Sequence, residues 1–197
     1  MKPMIQPKTR HKVRALTAAV SVLLAVISVP AMAGKLDLTA GAYTFGASNS
    51  NNNSTKSISG VGSYQIAFRN GFLNRFEYEI GYSLIATDVI GGDLSFGVDL
   101  GINYFPFTPS HDVVAKTAET TAVFQNIWRP FIGVSFDQRN FQSTSSQYAG
   151  GGAKIGTEYQ LENRLSVKAL LRYLSLAGPN KSLATQIDFM AGLTYQF

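Results

Sequence analysis

The stretch Leu94-Ser95-Phe96-Gly97-Val98-Asp99-Leu100-Gly101-Ile102-Asn103-Tyr104 decides how this chain folds. Its even positions are all apolar or aromatic, and its odd positions are polar residues or glycine. A helix would gather residues three and four apart on one face. Strict alternation instead puts every second side chain on the same face of a strand. The C-terminus repeats the pattern, with Ile187, Phe189, Ala191, Leu193, Tyr195 and Phe197 alternating with Asp188, Met190, Gly192, Thr194 and Gln196. Between Arg75 and Leu84, Phe76, Tyr78, Ile80, Tyr82 and Leu84 alternate with Glu77, Glu79, Gly81 and Ser83.

Carried along the chain, the same template predicts eight strands, near 35–46, 58–69, 75–86, 93–104, 127–137, 151–161, 164–174 and 185–197. The first is irregular, because Leu36 and Leu38 sit on one parity and Tyr43 and Phe45 on the other, with Gly41 between them; a bulge or a frayed end at Gly41 is expected. The connections at 47–57, 138–150 and 175–184 are polar or turn-rich, whereas 70–74 and 162–163 are short, and Asn70-Gly71 is a hairpin signal. The connection at 105–126 is long, with Pro106, Pro109 and an Ala/Thr/Val stretch expected to form a helical turn or to extend the flanking strands. No interdomain linker interrupts the pattern.

Residues 1–33 are of another kind. A basic segment over 1–14 precedes an apolar and small-residue run, Ala15–Val29, then Pro30 and the small-x-small triplet Ala31-Met32-Ala33. This is the layout of a cleavable secretion signal, with cleavage expected between Ala33 and Gly34 and a barrel domain over 34–197. The run is short for a membrane anchor, and no later stretch approaches 18 consecutive apolar residues. The formal charge of +5 also belongs to the leader: Lys2, Lys8, Arg10, Lys12 and Arg14 leave with it, and 12 basic residues then balance 12 acidic ones. A nucleic-acid-binding surface is therefore not expected. The absence of cysteine excludes disulfides, thiolate metal sites and cysteine nucleophiles.

Alternation alone does not say whether the apolar faces point inward, as in a soluble ligand-binding barrel, or outward toward lipid. Three features favour lipid. The polar parity is rich in glycine (Gly81, Gly97, Gly101, Gly133, Gly152, Gly156 and Gly192), as a crowded interior requires. The apolar parity ends in aromatics such as Tyr104, Trp128, Tyr173 and Tyr195, which suit the two membrane interfaces. Strands of this length match a tilted bilayer crossing. The fold expected is an all-β, eight-stranded, antiparallel, up-and-down transmembrane barrel.

The ending Leu193-Thr194-Tyr195-Gln196-Phe197 resembles the C-terminal signature of bacterial outer-membrane barrels, and over 34–197 the chain resembles their small eight-stranded group, which includes the OmpA transmembrane domain, OmpX and the opacity proteins. Arg129-Pro130-Phe131-Ile132-Gly133-Val134 and the run Gly150–Gly156 fit the same general pattern. The resemblance implies outer-membrane localisation in a Gram-negative bacterium, lipid as the surrounding partner, a monomer, and recognition of Leu193, Tyr195 and Phe197 by the barrel assembly machinery.

On the inward parity lie Glu77, Glu79, Asp99, Lys154, Glu158, Lys168, Arg172 and Asp188, a charge network expected to fill a narrow lumen; Val61, Leu170 and Met190 are apolar exceptions there. No catalytic, cofactor or metal site emerges. His111 is the only histidine beyond the leader, and its neighbours Ser110 and Asp112 do not make a triad merely by adjacency. Gly150-Gly151-Gly152 is read as a loop-to-strand junction, since no helix follows to complete a phosphate cradle. The reading is a non-enzymatic barrel with a structural or limited porin-like role. Its alternatives are surface-loop binding of a host receptor or phage, with Phe141 and Tyr148 as suspected contacts, a conduit for small hydrophobic solutes, and, last, a lipid-modifying enzyme.

Overall fold

The computed structural model describes residues 34–49, 54–87, 93–110, 113–116, 121–124, 126–142 and 145–197. Eight strands close into one antiparallel barrel: β1 (Lys35–Asn49), β2 (Ser54–Leu73), β3 (Phe76–Thr87), β4 (Asp93–Tyr104), β7 (Trp128–Phe141), β8 (Ser146–Glu162), β9 (Leu165–Ala177) and β10 (Ser182–Gln196). Each strand pairs with its neighbour in sequence, and β1 closes the wall against β10, from Lys35 opposite Gln196 to Asn49 opposite Ser182. Closure gives the main chain of every wall strand a partner on both sides, the condition for crossing hydrocarbon. Both ends of the wall sequence, with the turns at Asn74-Arg75 and Asn163-Arg164, lie at one rim, called here the terminal rim.

Alternation produces the predicted two faces. Leu38, Ile66, Tyr82, Val98, Leu100, Ile102, Ile132, Val134, Ile155, Leu171, Phe189 and Leu193 all point outward and are exposed. So continuous an apolar surface has no place in water, and it forms the band that a bilayer covers. Trp128, Tyr159, Tyr195 and Phe197 edge this band at the terminal rim, and Tyr64 and Tyr173 edge it toward the other end. Tyr104 is half-buried.

Several strands run further than the alternation suggested. At the terminal rim β2 continues to Leu73, so the expected hairpin signal Asn70-Gly71 is strand and the turn is Asn74-Arg75. The other extensions are mainly at the distal rim. β1 continues to Asn49, β2 begins at Ser54, β7 continues to Phe141 and β8 begins at Ser146, so the polar connections 47–57 and 138–150 are largely strand, and Gly150-Gly151-Gly152 lies inside β8 rather than at its start. In this distal part the two faces exchange chemistry. Outward positions become Thr44, Ser59, Gln138, Asn140, Ser175 and Thr185, while inward positions become Tyr43, Phe45, Ile85, Leu174 and Leu176. Below, the barrel is polar inside and apolar outside; above, it is built like a water-soluble barrel.

This exchange corrects the reading of β1. The register does shift between Gly41 and Ala42, but β1 itself keeps one parity: Lys35, Asp37, Thr39, Tyr43 and Phe45 all point inward, and the interior itself turns from polar to apolar. The bulge lies across from it in β2, where Gly41 faces Ser63 and Ala42 faces Val61, leaving Gly62 as the extra residue. A Cβ at Gly62 would stand 2.8 Å from the Ala86 carbonyl oxygen, so the bulge needs glycine there. The inserted residue flips the parity of β2, and Val61, expected inside, is 82% exposed on the outer wall. Leu170 and Met190 do lie inside.

Among its described residues, the connection between β4 and β7 neither forms a helical turn nor extends its neighbours. It holds a separate antiparallel pair, β5 (Val113–Lys116) with β6 (Thr121–Phe124).

The position of the band makes a contrast testable. Leu100→Arg, mid-band, is expected to destabilise the barrel by about 2–4 kcal/mol in vesicles, and Ser59→Lys, above the band, by less than about 1 kcal/mol. Urea unfolding in lipid vesicles measures both.

Candidate functional site: the barrel interior

The interior is stacked in layers. Among the described residues, fourteen charged side chains are buried in it: the cations Lys35, Arg69, Arg129, Arg139, Lys154, Lys168 and Arg172, and the anions Asp37, Glu77, Glu79, Asp99, Asp137, Glu158 and Asp188. These are seven of each sign, so their formal charges balance. Every one has an opposite charge within ion-pair reach, which offsets part of the cost of removing it from water.

The lower cluster centres on Arg69. Its guanidinium meets Asp37 at 2.7 Å, Glu77 at 2.7 Å, and Glu158. Lys35 joins Glu77 at 2.6 Å and Glu158 at 3.4 Å, and Arg129 lies 3.8 Å from Glu158. Lys168 links the cluster upward, 2.5 Å from Asp37 and 3.5 Å from Glu79, and Lys154 closes on Glu79 at 2.9 Å. Neutral groups complete the shells: Thr194 Oγ1 donates to Asp37 at 2.8 Å and Asn103 Nδ2 to Glu79 at 3.2 Å.

The upper cluster centres on Arg172, which reaches Asp188 at 2.7 Å, Asp137 at 3.1 Å and Asp99 at 3.4 Å. Arg139 adds Asp99 at 3.6 Å and Asp137 at 3.8 Å, and its Nε donates to Gln186 Oε1 at 3.1 Å. Gln65 and Gln186 donate amide hydrogens to Asp99 and Asp188 at 3.0 and 2.7 Å. Between the clusters sit Leu170 and Met190, the latter accepting weak hydrogen bonds at its sulfur from Ser63 and Thr39. Phe131 lies under the Lys168 ammonium, 5.3 Å from its ring centre.

Glycines on the wall make room for these long side chains. A Cβ at Gly97 would stand 2.7 Å from Arg139 Nη1, one at Gly101 would stand 2.8 Å from Lys154 Nζ, and one at Gly156 would press on the Phe131 ring. Glycine thus recurs where a neighbour's cation or ring lies flat against the sheet.

Both ends of this charged core are covered. At the distal end Tyr43, Phe45, Ile85, Phe141, Leu174, Leu176 and Ala184 form an apolar cap, with Ile58 and Tyr148 packed against it. Phe45 and Phe141 have ring centres 4.9 Å apart, and Tyr148 meets both edge-on. Of the suspected surface contacts, Phe141 is internal, 8% exposed, and Tyr148 is half-buried against the cap. At the terminal end the residues following β4 turn inward. Phe105 is buried with its ring 5.7 Å from Phe131, and the buried Ser110 offers its carbonyl oxygen to Lys35 Nζ at 2.7 Å and Arg129 Nη1 at 3.5 Å.

Glu77, Glu79, Asp99, Lys154, Glu158, Lys168, Arg172 and Asp188 are all in this interior, Glu77 and Glu158 low, Glu79, Lys154 and Lys168 in the middle, and Asp99, Arg172 and Asp188 high. The sequence reading missed Lys35, Asp37, Arg69, Arg129, Asp137 and Arg139. Each obeys the parity of its strand, and extending that parity to the strand ends would have found them. Leu193 and Tyr195 point outward on β10, Phe197 just beyond it is exposed, and the Phe197 amide donates to the Gly34 carbonyl at 3.0 Å. Ala33, His111 and Asp112 lie outside the described residues. Among the described residues, no group of three or more histidine, aspartate or glutamate side chains is placed to hold a metal ion.

Two substitutions test the layers. Arg69→Met removes the cation shared by Asp37, Glu77 and Glu158, leaving them only Lys168, Lys35 and Arg129, and is expected to destabilise the folded barrel by about 3–5 kcal/mol. Phe141→Ala opens a hole in the cap, with an expected loss of about 3–5 kcal/mol. Both are read from urea midpoints in detergent or vesicles.

No family model matches the sequence, and no curated protein matches it either. Solved structures do match the fold. Neisserial surface protein A aligns with a TM-score of 0.58 at 16% identity, covering 83% of this chain and 97% of that one. The outer membrane protein OprG from Pseudomonas aeruginosa aligns with a TM-score of 0.52 at 12% identity, covering 84% and 96%. With its closed wall, apolar outer band and side-chain-filled interior, the chain has the architecture of the small eight-stranded outer-membrane β-barrels.

Proposed function

We propose that this chain is a non-enzymatic integral barrel of a Gram-negative outer membrane whose role is structural, with its lumen closed to bulk solutes. The observation that carries this reading is the layering: fourteen paired charges, capped by aromatic and aliphatic side chains above and by the 105–110 segment below, leave side chains where a porin has water. Export through the 1–33 leader, with cleavage between Ala33 and Gly34, is part of the proposal. So is insertion guided by the outward-facing Leu193 and Tyr195 and the exposed Phe197. In this orientation the terminal rim faces the periplasm and the distal, polar-walled part stands in the outer medium as a monomer's exposed surface.

A hydrophobic conduit is less well supported, because any apolar path from the distal cap meets the Arg172 and Arg69 clusters. A binding role for the distal rim has support in one feature: its outward wall carries uncharged Thr44, Ser59, Gln138, Asn140, Ser175 and Thr185, a surface suited to hydrogen bonding with sugars or polar peptides. Phe141, buried in the cap, would not take part.

The full precursor, expressed in a Gram-negative host, is expected in the outer-membrane fraction, to migrate faster in detergent electrophoresis unboiled than boiled, and to show no large stepwise conductance in planar bilayers. A soluble periplasmic product without a heat shift would refute the membrane role. Conductance on the porin scale would refute the closed lumen.

A further inference from the structure

We propose that residues 105–110 form a docked plug in the terminal mouth, able to leave as a unit while the barrel wall stays closed. Among the described residues, the hydrogen bonds and ring contacts that hold the segment lie outside the wall ladder. The Phe105 and Ser110 amides donate to the Arg75 and Asn74 carbonyls at 2.9 Å each, and Arg75 Nη1 donates to the Pro106 carbonyl at 3.1 Å. Inside the mouth, the Ser110 carbonyl takes hydrogen bonds from Lys35 and Arg129, and the Phe105 ring packs on Phe131 with Lys35 Nζ 5.6 Å from its centre. The β4–β7 ladder runs from Tyr104 opposite Ile132 to Ser95 opposite Phe141 and uses none of these groups. Withdrawing the plug breaks these local hydrogen bonds and takes Phe105 out of its cluster with Phe131, Leu170 and Met190 and away from Lys35, without opening an edge in the wall. Such a segment belongs to the low end of the local-stability range of a protein.

The segment is also built unlike a strand. Pro106 and Pro109 withhold two amide donors, and between them Phe107 points away, 76% exposed, while Phe105 and Ser110 on either side are buried. Two anchors thus hold a rigid bridge across the mouth. With the plug in place, Lys35 and Arg129 spend hydrogen bonds on a main-chain carbonyl; with it withdrawn, both cations and their partners Glu77 and Glu158 face water from the terminal side. The plug is thus a conformational device that sets whether the lower charge cluster is dry. This rests on the barrel geometry alone and holds whichever compartment the mouth faces.

The chain has no cysteine, so Ser110→Cys supplies a unique buried probe. In the folded, detergent-resistant barrel, a water-soluble maleimide is expected to label this variant at least tenfold faster than the barrel unfolds, with the unboiled band unshifted. Adding Phe105→Ala removes one anchor and is expected to speed labelling by on the order of a hundredfold, again with the wall intact. Hydrogen exchange on the unsubstituted protein gives an independent reading: the Phe105 and Ser110 amides are expected to exchange at least tenfold faster than ladder amides of β4 and β7. Labelling and exchange that occur only at the rate of global unfolding would overturn the proposal, showing a plug that is part of the wall's cooperative unit.

Discussion

A cation inside this barrel is cut off from bulk water while the wall and the two end closures stay in place, and that constraint organises the interior. Arg69 and Arg172 each face three carboxylates, so each is the hub of a cluster, and the remaining charges are arranged to complete the pairing. Burying such pairs is costly, and replacing them with apolar residues would often leave a protein equally stable. An eight-stranded barrel in lipid needs its lumen filled, and a polar filling keeps the two faces of each strand chemically distinct. That distinction fixes register, because sliding a strand by one residue would turn Asp99 or Arg172 into hydrocarbon.

The same logic explains the inversion along the barrel axis. Within the band, lipid takes the outer face and the ion pairs take the inner one. Beyond it, water takes the outer face, and the interior reverts to the apolar packing of soluble proteins around Phe45, Phe141 and Leu174. One inserted residue, Gly62, lets β2 shift its parity where the two regimes meet, so that Ile58 packs into the cap while Ser63, Gln65 and Arg69 still face the lumen.

Most of the wall was legible because lipid-facing and lumen-facing residues alternate so cleanly in Leu94–Tyr104 and at the C-terminus. What was not legible has a common cause. Hydropathy alternation marks the inside of a membrane barrel by polar residues, and the rule reverses once the strand leaves the bilayer. Tyr43 and Phe45 therefore read as a parity slip, and Phe141 and Tyr148 read as loop aromatics, although all four lie in or against the apolar cap. The polar stretches flanking them read as loops because Ser, Asn and Gln are also turn residues, although here they form the watered face of strands. The plug at 105–110 carries no periodic signal at all: its place depends on Lys35 and Arg129, which are remote in sequence and were not assigned to the interior.

The central claim is that the apolar face of the alternation lies in lipid, and the sequence supplies its own probe. Trp128 is the one tryptophan in the chain and projects, 60% exposed, from the terminal edge of the apolar band. In vesicles carrying brominated acyl chains, its fluorescence is expected to be quenched, and more strongly by bromine placed near the headgroup than by bromine near the bilayer centre. Fluorescence unaffected by either lipid, yet fully quenched by a water-soluble quencher, would contradict the account, since the apolar face would then be turned away from the membrane.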